Sequence, residues 1–211
     1  LVFRGLHWLV IANSTVPVVR GGENNAYSLL TTYFLPPLAG WILAALLIGA
    51  LVVVSQRRRA ARRRVALPAA DAEQHVMGLV IAAQAIVLVV IVANAYRGLP
   101  LALVVLAAVA VGVHVLTRNT PFGRYLYAIG GNEEAATVSG VPVRATIVWA
   151  FALMGLIVAL TGFMQTAYSG ASTTTIGSLM ELDAVAACVI GGTSLRGGRG
   201  SVAGVLFGAL I

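Results

Sequence analysis

The side chains in this sequence that could make or break bonds are few and scattered. Only seven of the 211 residues are acidic. Two of them, Glu133 and Glu134, are adjacent, and on a helix neighbouring side chains diverge by about 100°, so they do not face one substrate as an acid–base pair. Glu181 and Asp183 stand at the head of an apolar run, where the helix dipole favours acids. His7 and His114 are isolated, and no His/Cys cluster has metal-ligand spacing. The single cysteine, Cys188, excludes an intramolecular disulfide and sits in an apolar run, where it reads as a small buried side chain. All 14 basic residues are arginine, so there is no P-loop lysine. The glycine-rich stretch 191–200 has no GK[ST] and follows no strand. No hydrolytic site and no metal site assembles, and no cofactor is expected on this chain.

What the polar residues can do is hold a shape. Residues 120–144 form a polar island between apolar runs, and its punctuation is readable. Thr120 followed by Pro121 predicts a helix N-cap with proline at the first helical position. The pair Gly130-Gly131 predicts a left-handed C-cap. Asn132 predicts a second cap, with Glu133 and Glu134 in the first turn. Gly140 stops that second helix and Pro142 prevents its continuation. A linker that merely joined two spans would not need this much specified structure.

The segment Glu134-Ala135-Ala136 with Gly140, preceded by Gly-Arg-Tyr-Leu-Tyr-Ala-Ile-Gly-Gly-Asn (123–132), resembles the EAA…G loop of ABC-importer permeases of the ribose/xylose (branched-chain amino acid/sugar permease) family. The run Glu-Leu-Asp-Ala-Val-Ala-Ala-Cys-Val-Ile-Gly-Gly-Thr-Ser-Leu (181–195) is similar to a second signature of that branch. The overall resemblance, covering essentially the whole chain, is greatest to the xylose-transport permeases. It implies a transport subunit rather than an enzyme, in the bacterial inner membrane. It also implies a coupling helix made by Asn132, Glu133, Glu134, Ala135, Ala136 and Gly140, on which a separate ATP-binding subunit seats. The further partners it implies are an extracytoplasmic sugar-binding protein, a second permease copy (a homodimer), and the sugar itself, moved by alternating access. ATP would be bound by the partner and not by this chain.

The elements that must position these residues are membrane helices. The composition is 59% hydrophobic and 10% charged, outside the norm for soluble domains. Apolar runs predict spans at about 38–55, 75–96, 99–116 and 145–167, each long enough to cross the hydrocarbon core or nearly so. The arginines at 57, 58, 59, 62, 63 and 64 abut the first span, and by the positive-inside rule they place its C-terminal end in the cytoplasm. That location makes them a membrane anchor and not a nucleic-acid face. Residues 5–37 read as an extramembrane loop, with a short interfacial helix near Trp8. Gly155 and Gly162 predict close approach of neighbouring helices in the last full span. Ser178 with Glu181 predicts a capping box. The apolar run after it is too short to span, so 179–211 reads either as a broken or re-entrant helical pair or as a normal span with a short cytoplasmic turn at Arg196 and Arg199.

The expected fold is therefore all-α: a polytopic helical membrane protein with a short cytoplasmic coupling helix and a re-entrant hairpin near its C-terminal end. The chain begins at Leu1 without Met and shows no signal peptide, which predicts an internal fragment of a longer single permease domain. A sugar in the translocation path needs hydrogen-bonding groups; Gln84, Thr193 and Ser194 are candidates, with Glu181 and Asp183 at the head of the hairpin. Two other functions stay open at this point. An ion-coupled secondary carrier would use intramembrane acids, which are nearly absent. A non-transporting scaffold would bind a partner through the same loop.

Overall fold

The computed structural model describes residues 2–11, 15–18, 26–64, 72–173 and 175–211. For 57–64 it describes the helical backbone but not the arginine side chains, and the same holds for His7. The loop residues 20–25 and the connection around Pro68 and Asp71 lie outside the described residues.

In chain order the elements are α1 (Val2–Ile11), β1 (Val16–Pro17), α2 (Ala26–Thr32), β2 (Phe34–Leu35), α3 (Pro37–Arg64), α4 (Ala72–Tyr96), β3 (Leu99–Pro100), α5 (Leu101–Asn119), α6 (Pro121–Gly131), α7 (Glu133–Val138), α8 (Val143–Ser169), β4 (Ala171–Ser172), α9 (Met180–Ile190) and α10 (Val202–Leu210). The fold is all-α apart from two-residue ladders. Among the described residues, three stretches are long and apolar enough to cross a bilayer: Val76–Tyr96, Leu101–Asn119 and Val143–Ser169. The apolar part of α3, Pro37–Val53, is shorter. Almost nothing on the three long stretches is buried within the chain, with 6%, 0% and 0% of each window covered. Water would not tolerate that much continuous apolar surface, whereas lipid or further helices would. This is a multi-pass membrane protein.

The chain divides into two compact units, Thr32–Leu103 and the combination of Leu1–Thr31 with Val104–Ile211. In the first, α3 packs on α4, with Ala44 and Val90 buried. A Cβ at Gly40 would stand 3.3 Å from Asn94 Oδ1, so the two helices approach closely there. β2 pairs antiparallel with β3, Phe34 opposite Pro100 and Leu35 opposite Leu99. The turn before β3 brings Gly98, at φ +103°, against the Leu35 carbonyl oxygen, a position that only glycine can occupy.

In the second unit, β1 pairs with β4, and the Val18 N–H donates to the Gly170 carbonyl at 2.9 Å. Tyr27 donates from Oη to the Phe163 carbonyl at 2.9 Å and meets its ring edge-on, centroids 6.0 Å apart. This ties α2 to the end of α8.

Several boundaries differ from the sequence reading, each for a local reason. α3 continues past the apolar run, its backbone helical through the arginine cluster to Arg64, because arginine is a good helix former. Leu99 and Pro100 are not helical; they form the ladder with β2, and α5 begins at Leu101 and continues to Asn119. Ser178 is not the cap of α9. That role falls to Leu179 at φ +67°, with no side-chain cap bond, because the preceding turns, with Gly177 at φ +78°, deliver the chain one residue later. Gly155 and Gly162 have no neighbour within 4 Å among the described residues. The close approaches occur at other glycines.

Candidate functional site

The polar island is built on a sharp corner between α5 and α6. Thr120 Oγ1 donates to the Leu116 carbonyl at 2.6 Å and accepts from the Gly123 N–H at 3.4 Å, capping α6 while binding the end of α5. Gly123 is buried against the Thr117 carbonyl, where any Cβ would overlap backbone, so the corner requires glycine.

Gly130 and Gly131 do not form the left-handed cap expected of them. Both are helical, and the chain leaves α6 at Asn132 in extended conformation, φ −160° and ψ 109°. Asn132 serves both helices. Its N–H donates to the Ala128 carbonyl at 3.0 Å, closing α6, and its Oδ1 accepts from the Ala135 N–H at 3.0 Å, opening α7. At the other end of α7, Gly140 takes φ +80°. Its N–H donates to the Thr137 carbonyl at 3.0 Å, and the Val141 N–H donates to the Ala136 carbonyl at 3.1 Å. These paired bonds are a Schellman motif. A six-residue helix, too short to persist alone, is thereby closed at both ends. Ala136 is buried beneath it, while Glu133, Glu134, Ala135 and Gly140 are exposed. Val138 is 89% exposed, an apolar side chain offered outward.

The second structured region is the hairpin of α9 and α10. α9 also ends in a Schellman motif: Gly192 at φ +78° donates to Val189, and Thr193 donates to Cys188 at 2.9 Å. The helices then run antiparallel with their backbones in contact. A Cβ on Gly204 would overlap the Gly191 carbonyl, and one on Gly208 would overlap the Ala187 carbonyl. Ala187 and Gly191 on one helix, and Gly204 and Gly208 on the other, are each four apart, the small-residue spacing that permits such an approach. The hairpin is present in the structure.

The two regions touch at glycine. A Cβ on Gly130 would lie 2.6 Å from the Gly198 nitrogen, and one on Gly197 would lie 2.7 Å from the Gly130 carbonyl oxygen. Gly197 and Gly198 are both left-handed, at φ +85° and +71°. Beside them Tyr127 Oη donates to the Gly200 carbonyl at 3.1 Å. α6 is thus latched to the hairpin tip by backbone contact and one hydrogen bond. Above the latch lies a cleft of about 520 Å³, with walls of Leu106, Val109 and Val113 from α5, Leu126 from α6, and Val205 and Leu206 from α10.

Thr193 and Ser194 line this cleft. Thr193 Oγ1 is buried without a hydrogen-bond partner among the described residues, and Ser194 Oγ accepts from the Arg196 N–H at 3.3 Å. A buried hydroxyl left unpaired costs about 1–3 kcal/mol, so Thr193 has unused bonding capacity. Glu181 and Asp183 are exposed in the first turn of α9, at the opposite end of that helix from Thr193. The rise of the helix separates them by about 15 Å. Gln84 is exposed on α4, in the other unit. The structure therefore joins Thr193 with Ser194 and does not bring the acids to them. The sequence reading missed Tyr127, Gly130, Gly197 and Gly198 as one contact. The signal was there as two glycine pairs in two separate polar segments.

The profile of the family described as branched-chain amino acid transport system / permease component matches residues 25–211. The chain belongs to this permease family. Over 118 residues it is 52% identical to the xylose transport system permease protein XylH of Haemophilus influenzae, covering 56% of this chain and 32% of that protein. Over 116 residues it is 46% identical to the ribose import permease protein RbsC of Bacillus subtilis, 55% of this chain and 36% of that one. Over 99 residues it is 46% identical to the galactose/methyl galactoside import permease protein MglC of Escherichia coli, 47% and 30%. The matched part spans about a third of each of these relatives. No solved structure matches the permease.

Proposed function

We propose that this permease is the membrane subunit of an ATP-driven importer for xylose or a related monosaccharide, in the bacterial inner membrane. ATP is hydrolysed on a separate ATP-binding subunit that seats on residues 132–140. An extracytoplasmic binding protein delivers the sugar, a second copy of the permease completes the path, and substrate moves by alternating access. The relatives named for xylose, ribose and galactose import support the substrate class.

The observation that carries the reading is α7. A helix closed at both ends, with its base buried at Ala136 and Val138 projecting, moves as one body when pushed. The latch from α6 to the hairpin tip gives that motion a route to the cleft. Of the proposed path-lining residues Gln84, Glu181, Asp183, Thr193 and Ser194, the place of Thr193 and Ser194 in the cleft wall supports these two. α9 rises only about 16 Å, half the hydrocarbon thickness, too little to cross the bilayer by itself.

The test is uptake of radiolabelled xylose in cells carrying the full-length permease with its ATPase and binding protein. Beside it runs Gly140→Asp, with membrane insertion verified. The reading expects ATP-dependent uptake that the substitution abolishes. Uptake indifferent to Gly140→Asp would remove the coupling role from the loop. Uptake that follows an ion gradient and ignores ATP would favour a secondary carrier.

A further inference from the structure

We propose that the permease binds a phosphate group in a basic pocket at the foot of α5, and that this group belongs to an anionic phospholipid. The pocket, of about 420 Å³, lies below the latch and is lined by Arg118, Arg124 and Arg199 together with Thr117, Tyr127 and Gly200. The three arginines come from three separate elements: the last turn of α5, the first turn of α6, and the hairpin tip. Among the described residues no acidic side chain lines the pocket. Among the described residues none of the three guanidinium groups has an ion pair or hydrogen bond.

The three arginines are exposed around one cavity, so their positive charges are open to an anion, and binding one relieves their mutual repulsion. Arginine suits phosphate in particular, because its planar fork can donate two parallel hydrogen bonds to the oxygens. The backbone adds donors. The N–H groups of Arg199 and Gly200 make no hydrogen bond among the described residues, and they follow two successive left-handed glycines, the kind of turn that leaves amides free to form an anion-binding concavity. The choice of a lipid over a soluble phosphate rests on depth. Arg118 ends a stretch able to cross the bilayer, so the pocket sits where that helix leaves the hydrocarbon, at the level of the headgroups. The site does not depend on the substrate assigned above.

The experiment is native mass spectrometry of the full-length permease in detergent, supplied with equal amounts of phosphatidylglycerol and phosphatidylcholine. Titration calorimetry with inorganic phosphate forms a second arm. The wild type is expected to retain phosphatidylglycerol selectively. Each of Arg118→Gln, Arg124→Gln and Arg199→Gln should lower that preference roughly fivefold, and the triple variant about a hundredfold. Arg196→Gln, which alters the same turn outside the pocket, should leave it unchanged. The single variants carry the test if the triple variant does not fold. Binding of inorganic phosphate that requires the same arginines, without lipid selectivity, would keep the phosphate site and assign it to a soluble ligand. The proposal is overturned if neither arm shows arginine-dependent binding, or if Arg196→Gln acts as strongly as the others. It is equally overturned if the variants lose only the ATPase, since the arginines would then serve a protein contact.

Discussion

Replacing Gly130 by alanine places a methyl carbon 2.6 Å from the Gly198 nitrogen and 3.2 Å from its Cα. Both are backbone atoms, so no side chain can swing aside; α6 and the hairpin tip must part by roughly 1 Å. Forced overpacking of this kind costs about 1–3 kcal/mol. Parting by that amount also stretches the 3.1 Å hydrogen bond from Tyr127 to Gly200 beyond useful length, a further ~1 kcal/mol. Against this stands the better helix propensity of alanine, about 1 kcal/mol. The net expected loss is about 1–3 kcal/mol. The next residue is the control: Gly131 is also helical, but a Cβ there meets nothing within 4 Å among the described residues. Gly131→Ala should therefore be neutral or stabilising by up to about 1 kcal/mol. Thermal unfolding of the two full-length variants in detergent should separate them by on the order of 5 °C or more, Gly130→Ala being the lower. Equal melting temperatures would refute the latch, and so would a Gly130→Ala variant with wild-type stability and transport.

Three other outcomes follow from the same geometry. Asn132→Ala removes the Oδ1 acceptor of the Ala135 N–H and should cost about 1 kcal/mol, seen as faster amide hydrogen exchange at Ala135 and Ala136 while α6 stays protected. Gly208→Val drives side-chain atoms into the Ala187 carbonyl and should open the hairpin at a cost of about 3 kcal/mol or more, lowering the yield of folded permease in detergent. Leu179→Gly relieves a left-handed leucine and should raise stability by about 1 kcal/mol, read as a higher melting temperature.

The parts of this architecture that were legible in the sequence are those set by local chemistry. Thr120, Asn132 and Gly140 act on neighbours three to five residues away, so their caps could be read from residue type and order alone. The apolar runs announced membrane helices for the same reason. What could not be read depends on residues far apart in the chain. Gly130 looked like a helix terminator because glycine commonly ends helices, yet here its missing side chain admits Gly197 and Gly198, nearly seventy positions on. Gly155 and Gly162 have the spacing of a packing face but no described neighbour, while Gly204 and Gly208 have both. Leu99 and Pro100 read as the start of a span until their partner, β2, is seen. Arg118, Arg124 and Arg199 are separated in the chain, and only the folded structure gathers them around one pocket. Composition cannot distinguish a glycine that ends a helix from one that admits another backbone.

The central claim is that α7 is the surface on which a partner ATPase acts. The most direct measurement is site-specific cross-linking in a full-length permease freed of other cysteines and co-expressed with its ATPase. Val138→Cys, at the 89% exposed apolar position of α7, is compared with Tyr168→Cys, 80% exposed near the far end of α8. The account predicts a Val138→Cys cross-link to the ATPase whose yield changes when ATP is bound, and none from Tyr168→Cys. Cross-linking at Val138→Cys no greater than at Tyr168→Cys, with the complex intact, would contradict it.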